Sequence, residues 1–106
     1  MSSMTAEQAR IVLQQMGGVG RIVAMTGAKD FVYGEDADKL PYVGFKFKGC
    51  PKANYVAITL ALDDTYTVRF GKIVKYDLKA AGESAMVYAG QLRGTFERFT
   101  GLYLSI

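Results

Sequence analysis

Three consecutive stretches in the middle of the chain alternate apolar and polar residues with a period of two, and no other feature restricts the fold as tightly. Over residues 42–48, Val43, Phe45 and Phe47 alternate with Tyr42, Gly44, Lys46 and Lys48. Over residues 54–62, Val56, Ile58, Leu60 and Leu62 alternate with Tyr55, Ala57, Thr59 and Ala61. Over residues 65–74, Tyr66, Val68 and Phe70 alternate with Thr65, Thr67 and Arg69, and Gly71 is placed to mark a bulge. Successive strand side chains point to opposite faces, so each stretch predicts a strand with one buried face. The segments between them, residues 49–53 and Asp63-Asp64, are too short for a crossover, which makes the three strands an antiparallel meander.

The flanks supply helices. Thr5 as N-cap and Gln8 three residues on form a capping box, and Ala9, Val12, Leu13 and Met16 fall on one face, which predicts a helix over residues 6–16. Gly17-Gly18 ends it, since glycine accepts the left-handed conformation that closes a helix. Ile22 and Val23 are β-branched and the run to Met25 is apolar, predicting a further strand over residues 21–25. Residues 27–41 read as the longest loop, with Phe31-Val32-Tyr33 as a short strand at most.

After a soft stretch over residues 77–82, Ser84 can cap a second helix with the stripe Ala85, Tyr88, Ala89, Leu92, Phe96 and Phe99. Gly101 ends that helix and Leu102 is placed to pack back on it; residues 103–106 form an apolar tail. The expectation is a single α+β domain over residues 1–106. It has an N-terminal helix, a four-stranded, mainly antiparallel sheet and a C-terminal helix, both helices on one face. Gly90 and Gly94, four apart on the second helix, predict close approach of another backbone. That could be a strand of the same chain or a second copy, so the chain is read as a monomer or a homodimer.

Composition removes whole classes of chemistry. With no His and a single cysteine, Cys50, the familiar zinc, haem and iron–sulfur ligand sets are missing, as are Ser-His-Asp and Cys-His catalysis. Only carboxylates, Lys, Tyr or Ser are left for chemistry, and no cofactor and no metal site are expected. A lone cysteine forms no internal disulfide framework and fits a reducing compartment. The first residues lack the basic start and apolar run of a signal peptide, and no stretch approaches ~18 apolar residues. The chain is therefore expected in a cytoplasm, with no membrane partner. A net charge of +3 favours anionic partners weakly.

Few local patterns bear on function. Gly17-Gly18-Val19-Gly20 lacks the Lys-Ser/Thr ending of a phosphate loop and stands after a helix rather than a strand, so it reads as helix termination. Asp63-Asp64 reads as turn residues, and Cys50 beside Pro51 as a turn position. Residues 26–31 combine Thr26, Gly27, Lys29 and Asp30 after an apolar segment. Such a loop can bind a ligand, or Lys29 and Asp30 can simply be solvated. The second face of the sheet would gather Tyr42, Lys46 and Lys48 with Tyr55 and with Arg69, and Lys72, Lys75 and Lys79 extend the basic region. Interleaved aromatics and cations are what nucleic-acid-binding sheets present, and also what solvent-facing strands contain. Glu35, Asp36 and Asp38 make the long loop acidic, so the charges segregate.

Residues 22–31, 54–60 and 66–73, together with 88–92 and 100–106, resemble a group of short bacteriophage and prophage proteins without an established activity. The resemblance covers most of the chain after Gly18, and residues 35–41 are where a departure is expected. It implies a phage-type protein acting in a host bacterial cytoplasm. Combined with small size and missing catalytic constellations, it leads to a non-enzymatic accessory protein that binds stoichiometrically. The expected action is inhibition of a host antiviral protein or nucleoprotein complex, in the manner of an anti-CRISPR protein. The alternative is a DNA- or RNA-binding accessory protein using the Tyr42, Lys46, Lys48, Tyr55 and Arg69 face. An enzymatic role would rest on Lys29 and Asp30 alone.

Overall fold

The computed structural model describes residues 4–36 and 39–102. Two helices, α1 (Ala6–Gln14) and α2 (Val19–Thr26), precede five strands, β1 (Lys29–Glu35), β2 (Pro41–Lys46), β3 (Tyr55–Leu60), β4 (Tyr66–Val74) and β5 (Asp77–Val87). A 3-10 turn (Ala89–Gln91) leads into α3 (Leu92–Thr100). The strands form one sheet in the order β1-β2-β3-β4-β5, every neighbouring pair antiparallel. The class is α+β, with one strand and one helix more than the sequence predicted.

The central meander is built as its alternation dictates. Val43 faces Ile58, which faces Val68, and Phe45 faces Val56, which faces Phe70. Cross-strand partners share a face, so these six side chains form one apolar layer. Ala9, Val12 and Leu13 of α1, Ile22 of α2, and Leu92 and Phe96 of α3 pack against that layer in one continuous core. All six phenylalanines join it. Ring contacts link Phe31 to Phe45, Phe45 and Phe47 to Phe96, Phe96 to Phe70, and Phe70 to Phe99, the last pair stacked at 4.0 Å. Leu62 leaves the pattern: it sits in the β3–β4 turn and is exposed.

The capping box of α1 forms, with the Gln8 N–H donating to Thr5 Oγ1 at 3.1 Å and the Thr5 N–H to Gln8 Oε1 at 3.0 Å. Two predicted elements are corrected. Residues 21–25 belong to α2, not to a strand, because Gly18 and Gly27 bracket a helix whose buried side chains, Ile22 and Thr26, lie one turn apart. Gly27 closes it in the left-handed conformation at φ 66°. Ser84 caps no helix: residues 77–87 pair with β4 along nearly their whole length, from Val74 opposite Asp77 to Tyr66 opposite Val87. The predicted loop over residues 27–41 contains β1, paired to β2 from Lys29 opposite Lys46 to Glu35 opposite Pro41.

The C-terminal helix starts at Leu92, with Gly101 at φ 74° ending it as expected; Leu102 packs against the core, beside Gly49. Gly90 lies before that helix with open space around it, and the nearest atom to Gly94 is Arg98's own guanidinium. The close approach occurs instead at Gly82, where the Phe99 ring occupies the space a side chain would need. The predicted tail over residues 103–106 and the acidic position Asp38 lie outside the described residues.

Candidate functional site

On the face away from the helices, β2 presents Tyr42, Gly44 and Lys46, β3 presents Tyr55, Ala57 and Thr59, and β4 presents Thr67, Arg69 and Gly71, as their registers require. Tyr55 lies across Gly44: a Cβ there would stand 2.5 Å from Tyr55 Oη and 3.0 Å from the Val56 carbonyl. The ring is half-buried, and burial first, then the neighbouring Tyr42, raise its phenol pKa. Arg69 is already engaged. Its Nε donates to Glu83 Oε1 at 3.0 Å, and Nη1 stands 3.8 Å from Asp36 Oδ2. Asp36 reaches it from the β1–β2 connection, where its other carboxylate oxygen accepts from the Leu40 N–H at 2.9 Å.

Most of the lysines stand elsewhere. In an antiparallel meander the start of β1, the β2–β3 connection and the β4–β5 turn share one end of the sheet, and the β1–β2 and β3–β4 connections share the other. Lys29, Lys46, Lys48, Lys52, Lys72 and Lys75 therefore gather at the first end, with Asp30 and Asp77 among them. Glu35, Asp36, Asp63 and Asp64 gather at the second. Asp63 acts there as a turn residue: its Oδ1 accepts from the Thr65 hydroxyl at 2.6 Å and from the Thr65 N–H at 3.1 Å, which lowers its pKa.

At the basic end, Lys29, Lys46, Phe47, Lys48, Asn54 and Ile73 line a hollow of about 260 Å³. Lys29 and Lys46 are register partners, and Lys46 Nζ is 3.4 Å from Asp30 Oδ2. The Lys48 stem lies across Gly27, with its Cδ 3.5 Å from where a Cβ would be, while its backbone N–H donates to the Thr26 carbonyl at 2.8 Å. Asn54 ties the β2–β3 connection to β4, donating from Nδ2 to the Ile73 carbonyl at 3.1 Å and accepting the Ile73 N–H at 2.7 Å. Among the described residues, no carboxylate pairs with Lys29 or Lys48 within 4.0 Å. Two lysines without counter-charges and a third in an exposed pair, around one concavity, make an anion-attracting surface.

The structure thus brings together Lys29, Asp30, Lys46 and Lys48, and on the face away from the helices it sets Tyr55 opposite its register partner Lys46 and close to Tyr42. Two predicted residues are displaced. Thr26 is buried as the last residue of α2, its hydroxyl donating to the Ile22 carbonyl at 2.6 Å. Lys72 points to the helix side, opposite in parity to Arg69, with its amino group donating to the Pro51 carbonyl at 2.8 Å. The β4–β5 tip is not legible in the sequence, because Lys75-Tyr76 lacks the glycine or asparagine that marks a two-residue hairpin. Tyr76 there is fully exposed.

No family model matches the chain, and no curated protein and no solved structure matches it. Among the described residues, no helix is long and apolar enough to cross a membrane, and no group of three Cys, Asp or Glu side chains is placed to hold a metal ion.

Proposed function

We propose that the protein acts without catalysis, as a stoichiometric binder of the phage accessory type that docks its basic end on an anionic surface of a host nucleoprotein complex and inhibits it. The observation that carries this reading is the gathering of Lys29, Lys46 and Lys48 around one hollow while Glu35, Asp36, Asp63 and Asp64 stand at the opposite end of the sheet. A bipolar charge distribution steers encounter and fixes orientation, so that one end meets a negative surface and the other is repelled by it. The resemblance to short phage proteins supports the host side of the reading.

The test is affinity capture with a tagged chain from phage-infected bacteria, followed by mass spectrometry. One host complex retained at a fixed molar ratio is expected. A capture that retains no partner, or only a scatter of substoichiometric ones, would remove the reading. Direct nucleic-acid binding is the second reading, favoured by Tyr55 standing beside both Tyr42 and its register partner Lys46 on the sheet face away from the helices.

A further inference from the structure

The β4–β5 hairpin turns on two consecutive non-glycine residues in the left-handed conformation. Val74 pairs with Asp77, so the turn consists of Lys75 and Tyr76 alone. Both have positive φ, 51° and 72°, a conformation that asparagine and glycine occupy readily and these residues do not. Tyr76 is 102% exposed, and Val74 and Leu78 beside it are exposed as well. An aromatic held out in solvent on a strained turn adds nothing to the core, and strain of this kind concentrates at functional sites.

The tip stands at the same end as the lysine-lined hollow. Ile73 lines that hollow, and Tyr76 follows three residues later in the turn, its backbone within about 11 Å, the span of three fully extended residues. Cations that hold phosphates, with an aromatic at about that reach to take a base, are the two components of sequence-tolerant recognition of unpaired nucleic acid. Bases inside a duplex are already stacked, so a protruding ring favours a single strand. Strand addition along the outer edge of β5 is disfavoured by two breaks in its register, between Tyr66 and Val68 and between Phe70 and Gly71. Irregularities of this sort blunt an edge.

We infer that the part of the partner held by this end is single-stranded nucleic acid, with Lys29, Lys46 and Lys48 on its phosphates and Tyr76 stacked on a base. The inference rests on the binding reading above and names the portion of the complex that is touched.

The experiment is a fluorescence-anisotropy titration of the purified full chain with a labelled single strand of mixed sequence at two salt concentrations. The corresponding duplex and inorganic polyphosphate serve as comparisons. The single strand is expected to bind at least about ten-fold more tightly than the duplex. Tyr76→Ala should weaken it about ten-fold while Tyr76→Phe, which keeps the ring, stays within about two-fold. Lys29→Glu with Lys48→Glu should lower the slope of log affinity against log salt by about 0.7 for each phosphate no longer neutralised.

Absence of binding to the single strand at low salt overturns the inference. So does equal binding of polyphosphate with no effect of Tyr76→Ala. Because the Tyr76 ring stands in solvent, loss of fold does not cloud the result, and an unchanged circular dichroism spectrum checks this. Recovery of the host complex from a nuclease-treated lysate, undiminished for Tyr76→Ala, would overturn the nucleic-acid contact and leave stoichiometric binding standing. Failure of capture and titration together would remove both.

Discussion

Tyr55 owes its position to the absence of a side chain at Gly44. A Cβ at that site would stand 2.5 Å from the phenol oxygen and 3.0 Å from backbone, so Gly44→Ala must lift the ring and shift the strand. The expected cost is about 1–3 kcal/mol, the range for overpacking, measured as a lower urea midpoint with an unchanged denaturant slope. The same burial governs titration. Tyr55 and Tyr66 are both raised in pKa by burial first, with Tyr42 adding to the effect at Tyr55 and Asp64 at Tyr66. Their folded values stand above the unfolded value of about 10. The ionised phenol is the form that burial disfavours, so stability is unaffected below about pH 10 and falls as the pH rises through the unfolded value toward the folded ones. Tyrosinate absorbance should show a late fraction that titrates together with loss of structure, whereas a single transition at the ordinary value would contradict the burial.

The elements legible in the sequence are those with local, redundant signals. α1 has a capping box and a clean helical stripe, and β2, β3 and β4 alternate and follow one another through short connections. Two segments that depart from expectation lack that redundancy. In α2, Ile22 and Val23 carry β propensity, yet Val19, Ile22, Val23 and Thr26 are spaced at helical intervals between two positive-φ glycines. Residue type and bracketing conflict there, and the bracketing wins. In β5, the alanines of residues 80–85 favour a helix locally, and pairing with β4 overrides them. Of the candidate site, Lys46, Lys48, Tyr42 and Tyr55 are legible through strand parity. The engagement of Arg69 by Asp36 and Glu83 is not, because it joins segments distant in sequence. The hairpin tip yields a prediction at this scale. Replacing Lys75-Tyr76 by Asn-Gly relieves two positive-φ residues and should raise stability by on the order of 1 kcal/mol, read from thermal unfolding. It should also abolish the binding assigned to Tyr76. A variant that is less stable would show that the turn is not strained.

At the scale of the whole molecule, antiparallel connectivity turns a small net charge of +3 into a polarised body measuring 35 × 32 × 22 Å. Every second connection reaches the same end, so six lysines accumulate there against Asp30 and Asp77, while Glu35, Asp36, Asp63 and Asp64 accumulate opposite with Lys39. No single segment of the sequence carries that polarity. It emerges when the meander folds. One substitution at either end separates polarity from net charge: Lys48→Glu beside the hollow and Lys39→Glu in the β1–β2 connection change charge equally, and both lysines are exposed. The measurement is the amount of host complex retained per mole of immobilised protein. Lys48→Glu is expected to retain about ten-fold less than the unaltered chain, the loss of about 1.4 kcal/mol, and Lys39→Glu to retain as much. Equal losses from both variants, or none from Lys48→Glu, would contradict docking by the basic end.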